Sequence, residues 1–136
     1  MAEIDPRLIA FMLPGIPGSV PIARFHVRAA LTFHELGQFV DDAAIVASEL
    51  VANAVQHACR DASATIGVTV ARAEDPEAVI VAVSDSSLHA PVMRIPPPGS
   101  ERGRGLQIVQ SLSIHWGWRP EPRGKAVFAI LAGRAT

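Results

Sequence analysis

Charge and cysteine are both scarce in this sequence. Only 18% of its 136 residues are charged, against 49% apolar, a balance that permits a buried core and excludes wholesale disorder. The single cysteine, Cys59, excludes an internal disulfide. The longest charge-free stretch, Leu8 to Ala23, contains Pro14, Pro17 and Pro21. It falls short of the roughly 20 apolar residues that span a bilayer, so no transmembrane helix is expected. The first residues, Met-Ala-Glu-Ile-Asp, carry acids where a secretory signal carries Lys or Arg, and a cytoplasmic location is expected. With 12 basic and 13 acidic residues the formal net charge is -1, which gives no global attraction to nucleic acid or an anionic membrane surface. Internal repeats and low-complexity tracts are absent, and the length suits one domain over residues 1–136.

Proline and glycine cluster, and so divide the chain into short elements. Leu8 to Leu13 is an apolar run closed by Pro14-Gly15-Ile16-Pro17-Gly18, which predicts a strand and a turn. Pro21 suits a first helical turn; Ala23, Val27, Ala30 and Leu31 repeat at helical spacing, and Gly37 offers a stop. From Val40, the positions Ala43, Ala44, Ala47, Leu50, Val51, Ala54, Val55 and Ala58 predict a second helix, with Asp41 and Asp42 complementing its positive end. Ala64 to Val70 and Ala78 to Val83 are strand-like, the second run ending at Ser84-Asp85. Residues 86–104 lack periodicity, contain four prolines and form a connection long enough to serve as a lid. Leu106, Val109 and Leu112 restart a helix. Ile114 to Arg119 then pairs with Lys125 to Leu131 across the turn at 120–124.

Three features carry chemistry. On the second helix, Glu49, Asn53, Gln56, His57 and Arg60 share one face opposite the apolar stripe. Such a stripe is ordinarily just solvated, but a carboxylate and a carboxamide one turn apart can orient a nucleophile and offer a hard oxygen to Mg²⁺. Asp85 stands at a strand end, where an acid either enters a pocket or simply stops the strand. Gly103-Arg104-Gly105 precedes the third helix, where unpaired N–H groups suit a phosphate. It is not a Rossmann fingerprint, since Ile108 stands in the place of the third glycine. Gly124-Lys125 followed by Ala126 is not a Walker A loop. His57 and Cys59 lack the further ligands of a zinc site, and no Gly-x-Ser-x-Gly elbow occurs.

In order and content these segments resemble the nucleotide-binding boxes of the histidine-kinase-like ATPase superfamily, which has the Bergerat fold. Glu49-Leu-Val-Ala-Asn53-Ala-Val-Gln-His57-Ala is similar to its N box, Val83-Ser-Asp85 to the start of its first glycine box, and Gly103-Arg-Gly105-Leu106-Gln-Ile-Val to its second. Gly124-Lys-Ala-Val127 resembles its final strand motif. The resemblance runs from about Ala23 to Leu131, and within the superfamily it points to small stand-alone anti-sigma-factor serine/threonine kinases. It implies an α+β two-layer sandwich, in which three helices cover one face of a mixed, mostly antiparallel sheet. ATP would lie between the second helix and the 86–104 lid, with Mg²⁺ bridging the phosphates. Glu49 would orient or deprotonate the attacking hydroxyl and Asn53 would coordinate the Mg²⁺. His57 would stand at the pocket edge, and Asp85 would accept a hydrogen bond from the adenine amino group. Gly103, Gly105 and Leu106 would supply lid backbone near the phosphates. The implied partners are a sigma factor and an anti-anti-sigma protein that accepts the phosphoryl group, and the implied assembly is a homodimer.

The sequence departs from this pattern in places. Ser86, Ser87, Leu88 and His89 follow Asp85 where glycines are usual, and a non-glycine at a positive-φ position there would cost about 1 to 2 kcal/mol. Gln56 replaces a basic residue often found beside the N-box asparagine. No phospho-accepting histidine domain is present, so a complete sensor kinase is not expected. Two alternatives therefore stand beside the kinase: a partner-sequestering module with little or no ATP binding, and a simple ATPase.

Overall fold

In the computed structural model, the described residues are 6–59, 63–74, 76–91 and 105–133. The elements run β1 (Arg7–Pro14), α1 (Ser19–Phe33), α2 (Val40–His57), β2 (Thr65–Ala73), β3 (Ala78–Asp85), α3 (Gly105–Leu112), β4 (His115–Glu121) and β5 (Gly124–Ala132). A short 3-10 turn at Gly37–Phe39 leads into α2. The five strands form one sheet in the order β1-β2-β3-β5-β4. All four pairings are antiparallel, so the parallel component of a mixed sheet is not found among the described residues.

Two-residue periodicity decides which face is covered. Ile66, Val68 and Val70 on β2, Val79, Val81 and Val83 on β3, and Val127, Ala129 and Leu131 on β5 are all buried. They join Ala23, Val27 and Leu31 of α1, Val46, Leu50 and Val51 of α2, and Leu106 and Val109 of α3 in one core. The alternate residues, among them Met12, Thr69, Ile80 and Phe128, are half-buried or exposed on the other side. The result is the expected α+β sandwich of one helical layer on one sheet. Trp116 packs against the edge of the core, while Trp118 is more exposed.

The first helix ends earlier than Gly37. Its last turn closes at Phe33, where the N–H of Glu35 donates to the carbonyl of Thr32 (3.1 Å) and that of Leu36 to the carbonyl of Leu31 (2.8 Å). This is the Schellman arrangement, and it needs a left-handed residue. Glu35 supplies it with φ 61°, the one positive-φ non-glycine among the described residues. The buried pair Leu31 and Leu36 brackets the turn and outweighs the steric cost at Glu35. At its start, α1 is tied to β1 by the buried Ser19, whose hydroxyl donates to the carbonyl of Pro14 at 2.6 Å. Among the described residues no helix is long and apolar enough to cross a membrane.

Candidate functional site

Helix α2 sets the position of the first group of residues. Its buried face, Ala43, Val46, Ala47, Leu50, Val51 and Ala54, lies on the sheet, which turns Glu49 and Asn53 toward its flank. Both are half-buried, whereas Gln56 and His57 are exposed near the C-terminal end. The shared face expected from sequence is therefore graded, and only its N-terminal half enters the protein; Arg60 lies outside the described residues. Burial raises the Glu49 carboxyl above its ordinary value, because the charged form is deprived of water.

Helix α3 begins beside that carboxylate. A methyl group added to Gly105 would stand 3.0 Å from Oε2 of Glu49 and 3.9 Å from its carbonyl oxygen. Leu106 is buried and anchors the first turn of α3 in the core. The fold thus brings the second helix and the start of the third together, joining Glu49 to Gly105 across a long sequence gap. Gly103 lies outside the described residues, as does most of the 86–104 lid. A shallow concavity of about 670 Å³ involves the open face, with Met12, Gly67, Thr69, Ser84, Asp85 and Arg123 in its lining. It is not lined by Glu49, Asn53 or His57.

Asp85 is the last residue of β3 and directly faces Lys125 of β5. Both side chains point to the helical side, in line with Val83 and Val127, and both are almost fully buried, 2% exposed for the aspartate and 5% for the lysine. Nζ of Lys125 donates to Oδ1 of Asp85 at 2.9 Å. The N–H of Ser87 donates to the same oxygen at 2.8 Å. This local bond shapes the chain after Asp85, and none of Ser86 to His89 takes a positive φ. The strain anticipated for non-glycines there is therefore absent.

Lys125 is the residue that sequence reasoning missed. The signal was available: a lysine heading the apolar run Ala126 to Leu131 must find a partner if its strand is central, and Asp85 ends another strand-like run. Gly124 brings the strands close enough, since a Cβ there would stand 1.8 Å from the carbonyl oxygen of Asp85.

Residues 16–131 match the histidine kinase-like ATPase domain family. The chain belongs to that family. Among curated protein sequences none matches it significantly. Among solved structures, the fold is similar to that of the RsbU and RsbW domains of Rv1364c from Mycobacterium tuberculosis, with a TM-score of 0.65 and 19% sequence identity. The alignment covers 93% of this chain and 33% of that one, so this chain spans about a third of its structural relative.

Membership in a family of ATPase domains supports ATP as the ligand, and the two ends of the site differ in how well they suit it. Where the resemblance would put the phosphates, Glu49, Asn53 and the start of α3 offer a carboxylate, a hard carboxamide oxygen and helix-end N–H groups. Among the described residues no group of three His, Cys, Asp or Glu could hold a metal, so Mg²⁺ here would rely on Asn53 and phosphate oxygens. At the base end, the carboxylate expected to read adenine is already engaged by Lys125.

Proposed function

We propose that this chain is a regulatory ATP-dependent protein kinase, transferring a phosphoryl group to a serine or threonine of a protein partner in the manner of the anti-sigma-factor kinases it resembles. The observation that carries the reading is Glu49, a partly desolvated carboxylate with a raised pKa at the start of α3. A base tuned upward from the ordinary carboxylate range suits proton removal from a hydroxyl. In this reading, Glu49 orients the partner's hydroxyl and takes its proton as the oxygen attacks. Asn53 would hold Mg²⁺, and the helix-end N–H groups of Gly105 and Leu106 would receive the phosphates. His57 lines the outer edge. ATP, when bound, supplies the phosphoryl group, and the protein contributes position and charge complementarity. The partners are a sigma factor and its anti-anti-sigma antagonist, the chain acts as a homodimer in the cytoplasm, and residues 1–136 form one domain.

The test is transfer of labelled phosphate from ATP to a candidate antagonist protein by wild type and Glu49→Gln. Loss of transfer with partner binding intact supports the assignment; equal transfer by both removes Glu49 from the reaction. The Asp85–Lys125 pair favours a second reading, a sequestering module that binds its partner with little help from nucleotide. Partner affinity that is the same with and without Mg²⁺-ATP, and no transfer by the wild type, would select it.

A further inference from the structure

The buried pair at the base end has no role in the phosphoryl-transfer reading, and its geometry conflicts with the role that the family resemblance implies for Asp85. A carboxylate that reads an amino group must present an acceptor to the ligand. Here the carboxylate is 2% exposed, and its Oδ1 accepts from both the Lys125 ammonium and the Ser87 N–H. Both an ammonium and a neutral amine make charge-assisted bonds to a carboxylate, but only the ammonium adds the attraction of opposite charges, which is strengthened in a buried site. An exocyclic amino group is neutral and cannot displace it on equal terms.

The lysine is also fixed in place. It faces Asp85 directly in the β3–β5 register, and Gly124 before it lies so close to the Asp85 carbonyl that even a Cβ would not fit. A buried ion pair is commonly no more stabilising than an apolar pair of the same size. The apolar rows Val79-Val81-Val83 and Val127-Ala129-Leu131 would extend naturally through these two positions. Packing alone therefore gives no reason for a charge at either.

We propose that Lys125 is an internal occupant of the base-recognition position: its ammonium holds the acceptor on Asp85 that an adenine amino group requires, and adenine nucleotides bind weakly until the pair is opened. This rests on the reading of Asp85 as the base-facing carboxylate. Recognition at the phosphate end, by Glu49, Asn53 and α3, is independent of it. Replacing the lysine by a short or uncharged side chain leaves the Asp85 carboxylate with the Ser87 N–H but without its cationic partner, and the amino group of adenine is then a donor that can take the vacated acceptor position.

The experiment is calorimetric titration of the full chain and of Lys125→Thr and Lys125→Met with Mg²⁺-ATP, and with Mg²⁺-tripolyphosphate as a probe that has no base. Circular dichroism checks the fold of each variant. ATP affinity is expected to rise at least about tenfold in either folded variant, the value of one hydrogen bond to a charged acceptor, with tripolyphosphate unchanged. ATP binding by the wild type as tight as that of the variants overturns the proposal while leaving the kinase reading intact. An equal gain for tripolyphosphate overturns the assignment to the base. Absence of ATP binding by every form overturns the proposal and the nucleotide reading together. A measurement on the wild type alone covers the case of unfolded variants. The ¹⁵N signal of the Lys125 amino group is expected to stay in place as adenosine is added, and a saturable shift at micromolar adenosine overturns the proposal.

Discussion

Gly105, the first residue of α3, approaches Glu49 of α2 so closely that only a hydrogen fits comfortably between its Cα and the carboxylate. The contact fixes where the half-buried acid stands relative to the helix end. It also makes the glycine a sensitive position that helix propensity alone would not single out, since alanine is the better helix former.

Gly105→Ala is expected to push the Glu49 carboxylate aside by a few tenths of an ångström. In the kinase reading such a displacement lowers phosphoryl transfer by about tenfold or more, while the melting temperature stays close to that of the wild type. Transfer rate and thermal melting measured on the same preparation check this. Unchanged transfer would show that the carboxylate and the helix start do not act together.

The raised pKa of Glu49 has a signed consequence for stability. Between its ordinary value of 4.5 and the raised value in the folded chain, the folded state binds more protons than the unfolded one. Stability is therefore unimpaired below 4.5 and declines as pH rises through the folded pKa. Glu49→Gln, uncharged throughout, should melt above the wild type near neutral pH, with the difference closing in acid. A pH-independent difference would contradict the assigned burial effect.

Lys125→Ala leaves the Asp85 carboxylate buried without its cationic partner. Breaking such a pair costs about 3–5 kcal/mol, whereas replacing both partners is close to neutral. Denaturant titration of Lys125→Ala and of the double variant Asp85→Asn/Lys125→Met should show the large loss in the first and most of it recovered in the second. A loss below about 1 kcal/mol in the single variant would mean that the pair behaves as a solvent-exposed one.

Glu35→Gly should stabilise the chain by about 1 kcal/mol. Its left-handed φ of 61° is sterically costly for glutamate and free for glycine, although part of the gain is offset by the greater entropy of glycine in the unfolded chain. Urea unfolding midpoints decide the matter, and a destabilised variant would indicate that the Glu35 side chain makes a contact worth more than the strain.

The apolar patterns of β2, β3 and β5 and of α2 were legible because two-residue and 3.6-residue periods translate directly into buried faces. Glycine preference points to Gly37 as the end of α1, whereas the Schellman turn is closed by Glu35, and the Leu31–Leu36 pair that brackets it is not visible in local propensity. The N-box residues Glu49 and Asn53 could be singled out by spacing, but the split between a half-buried and an exposed half of that face depends on where α3 docks. Lys125 does not stand out in the sequence because its meaning is cross-strand. Only the register between β3 and β5 sets it opposite Asp85.

Among the described strands, β1 occupies one edge of the sheet and pairs with β2, from which α1 and α2 separate it in the chain. Pro14 opposite Thr65 closes a long loop, whereas β2 and β3 meet as near neighbours. The entropy of closing that loop delays the first strand until the helices have collapsed onto the rest. In pulsed hydrogen exchange during refolding, the amides of Ile9 to Leu13 should gain protection after those of Val79 to Val83. The beginning of the sequence is then the last part of the sheet to be secured.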